Sequence, residues 1–181
     1  MDKAIGIIEM KNIARSVLVA DMCLKNASIS LSFRTLCPGK GLLILTGDLS
    51  SVKSSLEVAE KLAEGYLTDT LLLGNIHPGV LPALAGTADV KHGTALGVVE
   101  TFTVPAAIKA ADIGVKTARV EVIDLRAAQG LGGKALVYLT GNVADVSMAL
   151  EAIKDSIGND GCLLDAVMIA GPHKELWQQI P

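Results

Sequence analysis

The hexapeptide Ala4-Ile5-Gly6-Ile7-Ile8-Glu9 returns as Ala95-Leu96-Gly97-Val98-Val99-Glu100, an offset of 91 residues, so the chain reads as two copies of one unit. The register holds beyond this motif. Ala20-Asp21, Lys25 and Ala27 reappear as Ala111-Asp112, Lys116 and Ala118, and the helical stripe Ile13, Val17, Ala20, Leu24 reappears as Val104, Ile108, Ala111, Val115. Further on the offset grows to 94: Gly39-Lys40 matches Gly133-Lys134, Gly47 matches Gly141, and Val52, Leu56, Ala59, Ala63 match Val146, Leu150, Ile153, Ile157. Three residues are therefore inserted near the second strand of the second copy.

Each copy predicts the same order of elements. A strand over 4–10 leads to a helix whose N-terminal amides meet the side-chain oxygen of Asn12, or of Thr103 in the second copy. A hairpin follows, over 29–36 and 41–46 in the first copy and 119–125 and 135–140 in the second. The joints carry Pro38-Gly39 and Gly130-Leu131-Gly132-Gly133, residue types that relieve steric limits in tight turns. A second amphipathic helix spans 50–64 and ends at Gly65, a residue suited to a left-handed C-cap. A last strand, over 70–74 or 163–170, completes the unit and a short tail follows. The order βαββαβ predicts a ferredoxin-like α/β unit of the α+β kind, with helices on one face of a mainly antiparallel sheet. Residues 86–93 join the copies, giving a first domain at 1–88, a linker at 89–94 and a second domain at 95–181.

Composition narrows the function. Half of the 181 residues are hydrophobic, and mean hydropathy is +0.47, yet no apolar run approaches the roughly 18 residues that span a bilayer. Extensive aliphatic burial, some of it between subunits, is expected instead. A net charge of −3 and five aromatic residues supply neither a basic stripe nor stacking platforms, which argues against nucleic acid. The N-terminus reads as no secretory signal, so a cytosolic protein is expected. Cys23, Cys37 and Cys162 form neither a disulfide framework nor a Cys-x-x-Cys pair.

The polar residues assemble no catalyst. His77, His92 and His173 stand apart among prolines and glycines and read as solvated or capping residues. Ser50, Ser51, Ser54 and Ser55 lie outside any nucleophile elbow. Glu9 and Glu100 are paired by duplication and read as structural acceptors. Gly130-Leu131-Gly132-Gly133-Lys134 fails as a phosphate loop, which needs glycine at Ala128, Ser or Thr at Ala135, and a following helix. Cys23 and Cys162 read as core thiols. Cys37, in a turn with Pro38, Gly39 and Lys40, reads from this chain alone as either an incidental loop cysteine or a ligand.

The repeated Ala-Ile-Gly-Ile-Ile-Glu, Ala-Asp-x-x-x-Lys-x-Ala, Gly-Lys and Thr-Gly-Asp motifs and the terminal Pro-His resemble the bacterial microcompartment shell domain, twice in tandem and unpermuted, over nearly the whole chain. Leu36-Cys37-Pro38-Gly39-Lys40 and Asn75-Ile76-His77-Pro78-Gly79-Val80-Leu81-Pro82-Ala83 are similar to one subtype, the tandem shell proteins of 1,2-propanediol-utilisation compartments. The resemblance implies a homotrimer forming a flat pseudo-hexameric tile in a cytoplasmic shell, in contact with other shell proteins and with no enzymatic role. It places a pore loop at Pro38, Gly39, Lys40, Gly130, Leu131, Gly132, Gly133 and Lys134, and tile-edge contacts at Lys25 and Lys116. Single-domain relatives carry an edge arginine in Pro-Arg-Pro-His, where Ile76 and Gly171 are expected to stand here.

The resemblant subtype also implies a [4Fe-4S] cluster, one per trimer, with Cys37 of each subunit as its three protein ligands. Electron transfer across the shell, or cluster delivery, is the implied role, with a redox enzyme in the lumen or a cytosolic electron carrier as partner. Lys40 and Lys134 would then add positive charge beside the pore. Two other readings remain: a tile whose pore conducts a metabolite without a cluster, and a trimeric ferredoxin-like regulator that binds a small ligand.

Overall fold

The computed structural model describes residues 4–128 and 130–180. The uninterrupted apolar run of the opening motif makes it a central strand, since a strand hydrogen-bonded on both edges can bury both faces. β1 (Ala4–Met10) is buried along its length and lies between β3 (Lys40–Gly47) and β4 (Leu67–Leu73), with β2 (Ser30–Leu36) beyond β3. α1 (Ile13–Asn26) and α2 (Leu49–Leu62) complete the predicted βαββαβ order. All three strand pairings are antiparallel, and the order β2-β3-β1-β4 is the ferredoxin-like arrangement expected.

The second copy repeats the sheet as β6-β7-β5-β8, with β5 (Ala95–Thr101), α4 (Val104–Thr117), β6 (Glu121–Ala127), β7 (Ala135–Gly141), α5 (Val143–Ile157) and β8 (Leu163–Ala170). Two short helices, α3 (Val80–Leu84) and α6 (Lys174–Trp177), follow the two last strands.

In the first copy both helices cover the sheet face formed by Ala4, Ile8, Met10, Leu43 and Leu45, through Val19, Ala20 and Cys23 of α1 and Val52, Leu56 and Ala59 of α2. Removing a side chain as large as Ile8 from such a core costs about 2–5 kcal/mol. The repeated glycine of the motif has a packing reason: a Cβ on Gly6 would come 2.9 Å from Val52 Cγ1, and one on Gly97 would come 3.0 Å from Val146 Cγ1. Only glycine lets the second helix of each copy seat this close to the central strand.

Capping follows the sequence reading. The side chains of Asn12 and Thr103 accept the amides of Arg15 and Ala106, and Asp48 and Asn142 do the same for Ser51 and Asp145. Gly65 has the expected positive φ of 78°, although α2 itself ends at Leu62. β4 begins earlier than expected, at Leu67, and β6 later, at Glu121, because the turn 118–120 is held by the Val120 amide donating to the Ala118 carbonyl.

The ladders also locate the three inserted residues. One is Ile123, the bulge where the β6–β7 register shifts between Val122 and Asp124. The other two lengthen the hairpin tip: residues 36–40 separate the pair Thr35–Gly41, whereas residues 128–134 separate Ala127–Ala135. A correction follows for the position of the edge arginine. Leu73 pairs with Ile5 and Ile169 with Leu96, so the counterpart of Gly171 is Asn75 rather than Ile76.

The chain divides into two compact units. One comprises Met1–Ile76 with Gln129–Gly133, the other His77–Ala128 with Lys134–Pro181. The segment 77–88, which the repeat assigns to the first domain, packs within the second unit, where α3 lies against β6.

Candidate functional site

The turn from Leu36 to Lys40 presents the candidate ligand. Leu36 is buried and pairs with Lys40, closing the hairpin, and the Gly39 amide donates to the Leu36 carbonyl at 2.9 Å. Gly39 sits at φ 79°, a left-handed conformation that disfavours any residue with a Cβ. Between these anchors Cys37 and Pro38 are exposed, joined by a cis peptide bond. A folded hairpin thus lifts a single thiol into solvent at its tip.

Gly130–Gly133 group with the same unit as this turn. Gly133 lies directly against it: a Cβ there would meet Lys40 Nζ at 3.2 Å and Pro38 Cδ at 3.5 Å. Gly130, Gly132 and Gly133 all adopt positive φ. Three of the expected pore-loop residues, Pro38, Lys40 and Gly133, are therefore brought together, while Gly130, Leu131 and Gly132 continue the glycine turn.

Lys40 does not present a free charge. Its Nζ donates to Glu9 Oε1 at 2.8 Å, and the Glu9 side chain has no solvent exposure. Lys134 repeats the contact with Glu100 at 2.6 Å, more openly, at 41% and 30% side-chain exposure. The expectation that these lysines add net positive charge beside the loop is corrected, because each faces a carboxylate from the adjacent central strand. Sequence reading missed the pairing. Its signal was present in the common 31- to 34-residue spacing of glutamate and lysine in both copies.

The other cysteines are set apart from the turn. Cys23 is buried against α2, where its thiol donates to the Ser55 carbonyl and the Ser55 hydroxyl donates to the Cys23 carbonyl. Burial pushes its thiol pKa up to about 11. Cys162 is half-buried rather than a core thiol, because it lies in the turn before β8, with Sγ 3.7 Å from the Asp160 carbonyl. Among the described residues no group of three His, Cys, Asp or Glu side chains could hold a metal ion.

Lys25 and Lys116, expected at tile edges, both pair one turn back along their helix, with Asp21 and Asp112. Asp112 has a further partner in the His77 amide, at 2.8 Å. His77 and His173 act in the capping role read for them, His77 Nδ1 accepting the Gly79 amide and His173 Nδ1 the Glu175 amide, whereas His92 stacks on Trp177 with ring centroids 4.2 Å apart. No helix among the described residues is long and apolar enough to cross a membrane.

The chain is similar to known proteins along nearly its whole length. The family model of the BMC domain matches the chain twice, at residues 4–76 and 95–172. The bacterial microcompartment shell protein PduT of Citrobacter freundii is 40% identical, over 99% of this chain and 98% of its own length. The carboxysome assembly protein CcmO of a Synechococcus strain is 29% identical, over 98% of this chain and 68% of its own. Among solved structures, a microcompartment protein from Desulfitobacterium hafniense superposes with a TM-score of 0.88 at 36% identity, covering 98% of this chain and 99% of that one. With the domain matched in both halves and a shell protein similar from end to end, the chain belongs to the BMC-domain family of bacterial microcompartment shell proteins, as a tandem member.

Proposed function

We propose that this shell protein assembles as a homotrimer, a pseudo-hexameric tile whose central pore is lined by the turns 36–40 and 130–134, and that three Cys37 thiolates hold one [4Fe-4S] cluster there. The observation that carries the reading is the exposed Cys37 thiol at the tip of a closed hairpin, with no group of three His, Cys, Asp or Glu side chains among the described residues that could hold a metal within one chain. One thiolate per chain cannot bind a cluster; three around a threefold axis match three irons of a cubane.

The residues fit that demand. Leu36 and Gly39 fix the turn, and Cys37 is exposed, as a ligand shared between chains must be. Held by Cys37 of each chain, a cluster would supply one-electron transfer there. Glu9 and Glu100 hold the neighbouring lysines by ion pairs, so the electrostatic environment is set by those pairs rather than by free cations. The role is structural and redox-conducting, not catalytic, with other shell proteins at the tile edges through Lys25 and Lys116, and a lumen redox enzyme or cytosolic electron carrier as exchange partner.

Protein purified without oxygen tests this through iron and acid-labile sulfide content together with its visible and EPR spectra. About four irons per trimer, absent from a Cys37→Ser trimer, is the expected result. A colourless trimer without iron would instead leave a tile whose pore passes a small metabolite.

A further inference from the structure

The duplication leaves one surface covered in one copy and bare in the other. In the second unit the segment 77–90 runs over the C-terminal half of α4 and over β6. Its His77 amide donates to Asp112 at 2.8 Å, α3 lies on β6, and residues 77–90 share a cleft with Val115, Val120 and Val122. Asp112, Val120 and Val122 are almost fully buried in consequence, at 4%, 6% and 2% exposure.

The ladder register identifies the same positions in the first copy as Asp21, Ile29 and Leu31, with Leu24 the counterpart of Val115. Here the cover is lacking. The Asp21 side chain is 52% exposed and Leu24 51% exposed, while Ile29 and Leu31 are only partly buried. Asp21 makes the same i,i+4 pair with Lys25 that Asp112 makes with Lys116. The receiving face is present in both copies, down to its lysine.

The chain also carries a second copy of the covering segment. Leu73 and Ile169 are register equivalents, so His173 is the counterpart of His77. Both residues use Nδ1 to accept the amide two positions on, which holds the backbone at the histidine in a similar local turn, and both precede a short helix. Leu176 and Ile180 take the places of Val80 and Leu84, which are buried against the second unit.

We infer that residues 172–180 of one chain dock on the α1–β2 face of a second copy of this chain, the His173 amide donating to Asp21 as the His77 amide donates to Asp112. This rests on the trimeric reading above and names the contact that builds it. The contact is heterologous, one chain giving its tail and receiving another's, the kind of contact that closes into a ring, and the trimeric reading sets that ring at three chains. A partner other than a second copy would have to reproduce both the histidine turn and the two apolar side chains, which residues 172–180 already contain.

Two variants of the full-length protein test the inference by sedimentation. Truncation after Gly171 removes the tail, and Asp21→Arg blocks the face; circular dichroism checks that each folds. Each should dissociate where the parent protein is trimeric, with trimer affinity weakened at least about tenfold, as expected for a lost charge-assisted hydrogen bond. Mixed together they should form a dimer of one chain of each kind, because one intact tail meets one intact face. Hydrogen exchange at the His173 amide should be protected in the parent trimer and unprotected in Asp21→Ala.

A parent protein that is trimeric while both variants stay equally trimeric overturns this contact and leaves the tile reading intact. Dissociated variants that form no mixed dimer also overturn it. A parent chain that is monomeric at all concentrations overturns both.

Discussion

Ser16 and Gly41 share one space: a Cβ on Gly41 would fall on the Ser16 hydroxyl, which is fully buried and donates to the Asn12 carbonyl at 2.7 Å. The second copy solves the same contact the other way, with Ala107 at the position of Ser16 and Ala135 at that of Gly41. Each copy keeps the total volume and divides it differently.

Gly41→Ala should therefore destabilise the protein by about 1–3 kcal/mol through overpacking. Adding Ser16→Ala should recover part of the loss, because it removes the hydroxyl and restores the residue pair of the second copy, while the β-carbon at position 16, 2.5 Å from the new one, still has to shift. Urea midpoints of the two single variants and the double variant measure this coupling. An additive double variant would show that the two residues do not compete.

The two lysine–glutamate pairs differ in burial, and their loss should differ accordingly. Lys40→Met leaves the fully buried Glu9 carboxylate without its cation, a cost of about 3–5 kcal/mol for a broken buried pair. Lys134→Met removes a pair that is open to water, with an expected cost of about 1 kcal/mol or less. Denaturant unfolding of both variants gives the comparison, and Lys40→Met with Glu9→Gln should recover part of the larger loss.

Hydrogen bonds from the Ser50 and Ser51 side chains, together with the Ser51 amide, hold the Asp48 carboxyl well below its usual value of 3.8. The unfolded chain therefore binds this proton first, and stability from Asp48 is full above about pH 4 and is lost as pH falls below that toward the folded-state pKa. Asn142 caps α5 with a neutral amide at the equivalent place. Asp48→Asn should keep the cap and flatten the acid side of the stability profile, while Asp48→Ala should lower stability at neutral pH as well. Thermal midpoints from pH 2 to 7 separate the three proteins.

The thiols should differ in reactivity. Burial raises the Cys23 thiol to about 11, while Cys37 is exposed in its turn. Iodoacetamide applied to native, metal-free protein at neutral pH should alkylate Cys37 and spare Cys23, as peptide mass mapping would read. Equal labelling would contradict the burial of Cys23.

Much of this was legible because the chain states its plan twice. The offsets of 91 and 94 revealed the repeated fold and the three extra residues, and side-chain chemistry alone placed the caps at Asn12 and Thr103. Boundaries fixed by long-range hydrogen bonding were not legible. The start of β4 depends on Leu67 pairing with Met10, and the bulge at Ile123 depends on its partner strand. Cys162 was misread as core because apolar neighbours follow it in sequence, although it precedes the strand and sits in a turn. At the site, the turn that exposes Cys37 could be read from Pro38 and Gly39. The glutamates behind Lys40 and Lys134 left only an indirect trace, the recurrence of both residue types in both copies, since it is the β1–β3 and β5–β7 pairings that bring them within reach.

The central claim is a tile of three chains sharing one cluster, and native mass spectrometry of protein kept free of oxygen tests it most directly. The predicted result is an assembly of three chains carrying the added mass of a single [4Fe-4S] unit, which a Cys37→Ser assembly of three chains lacks. Three chains without added mass, or a cluster that persists in Cys37→Ser, would contradict it.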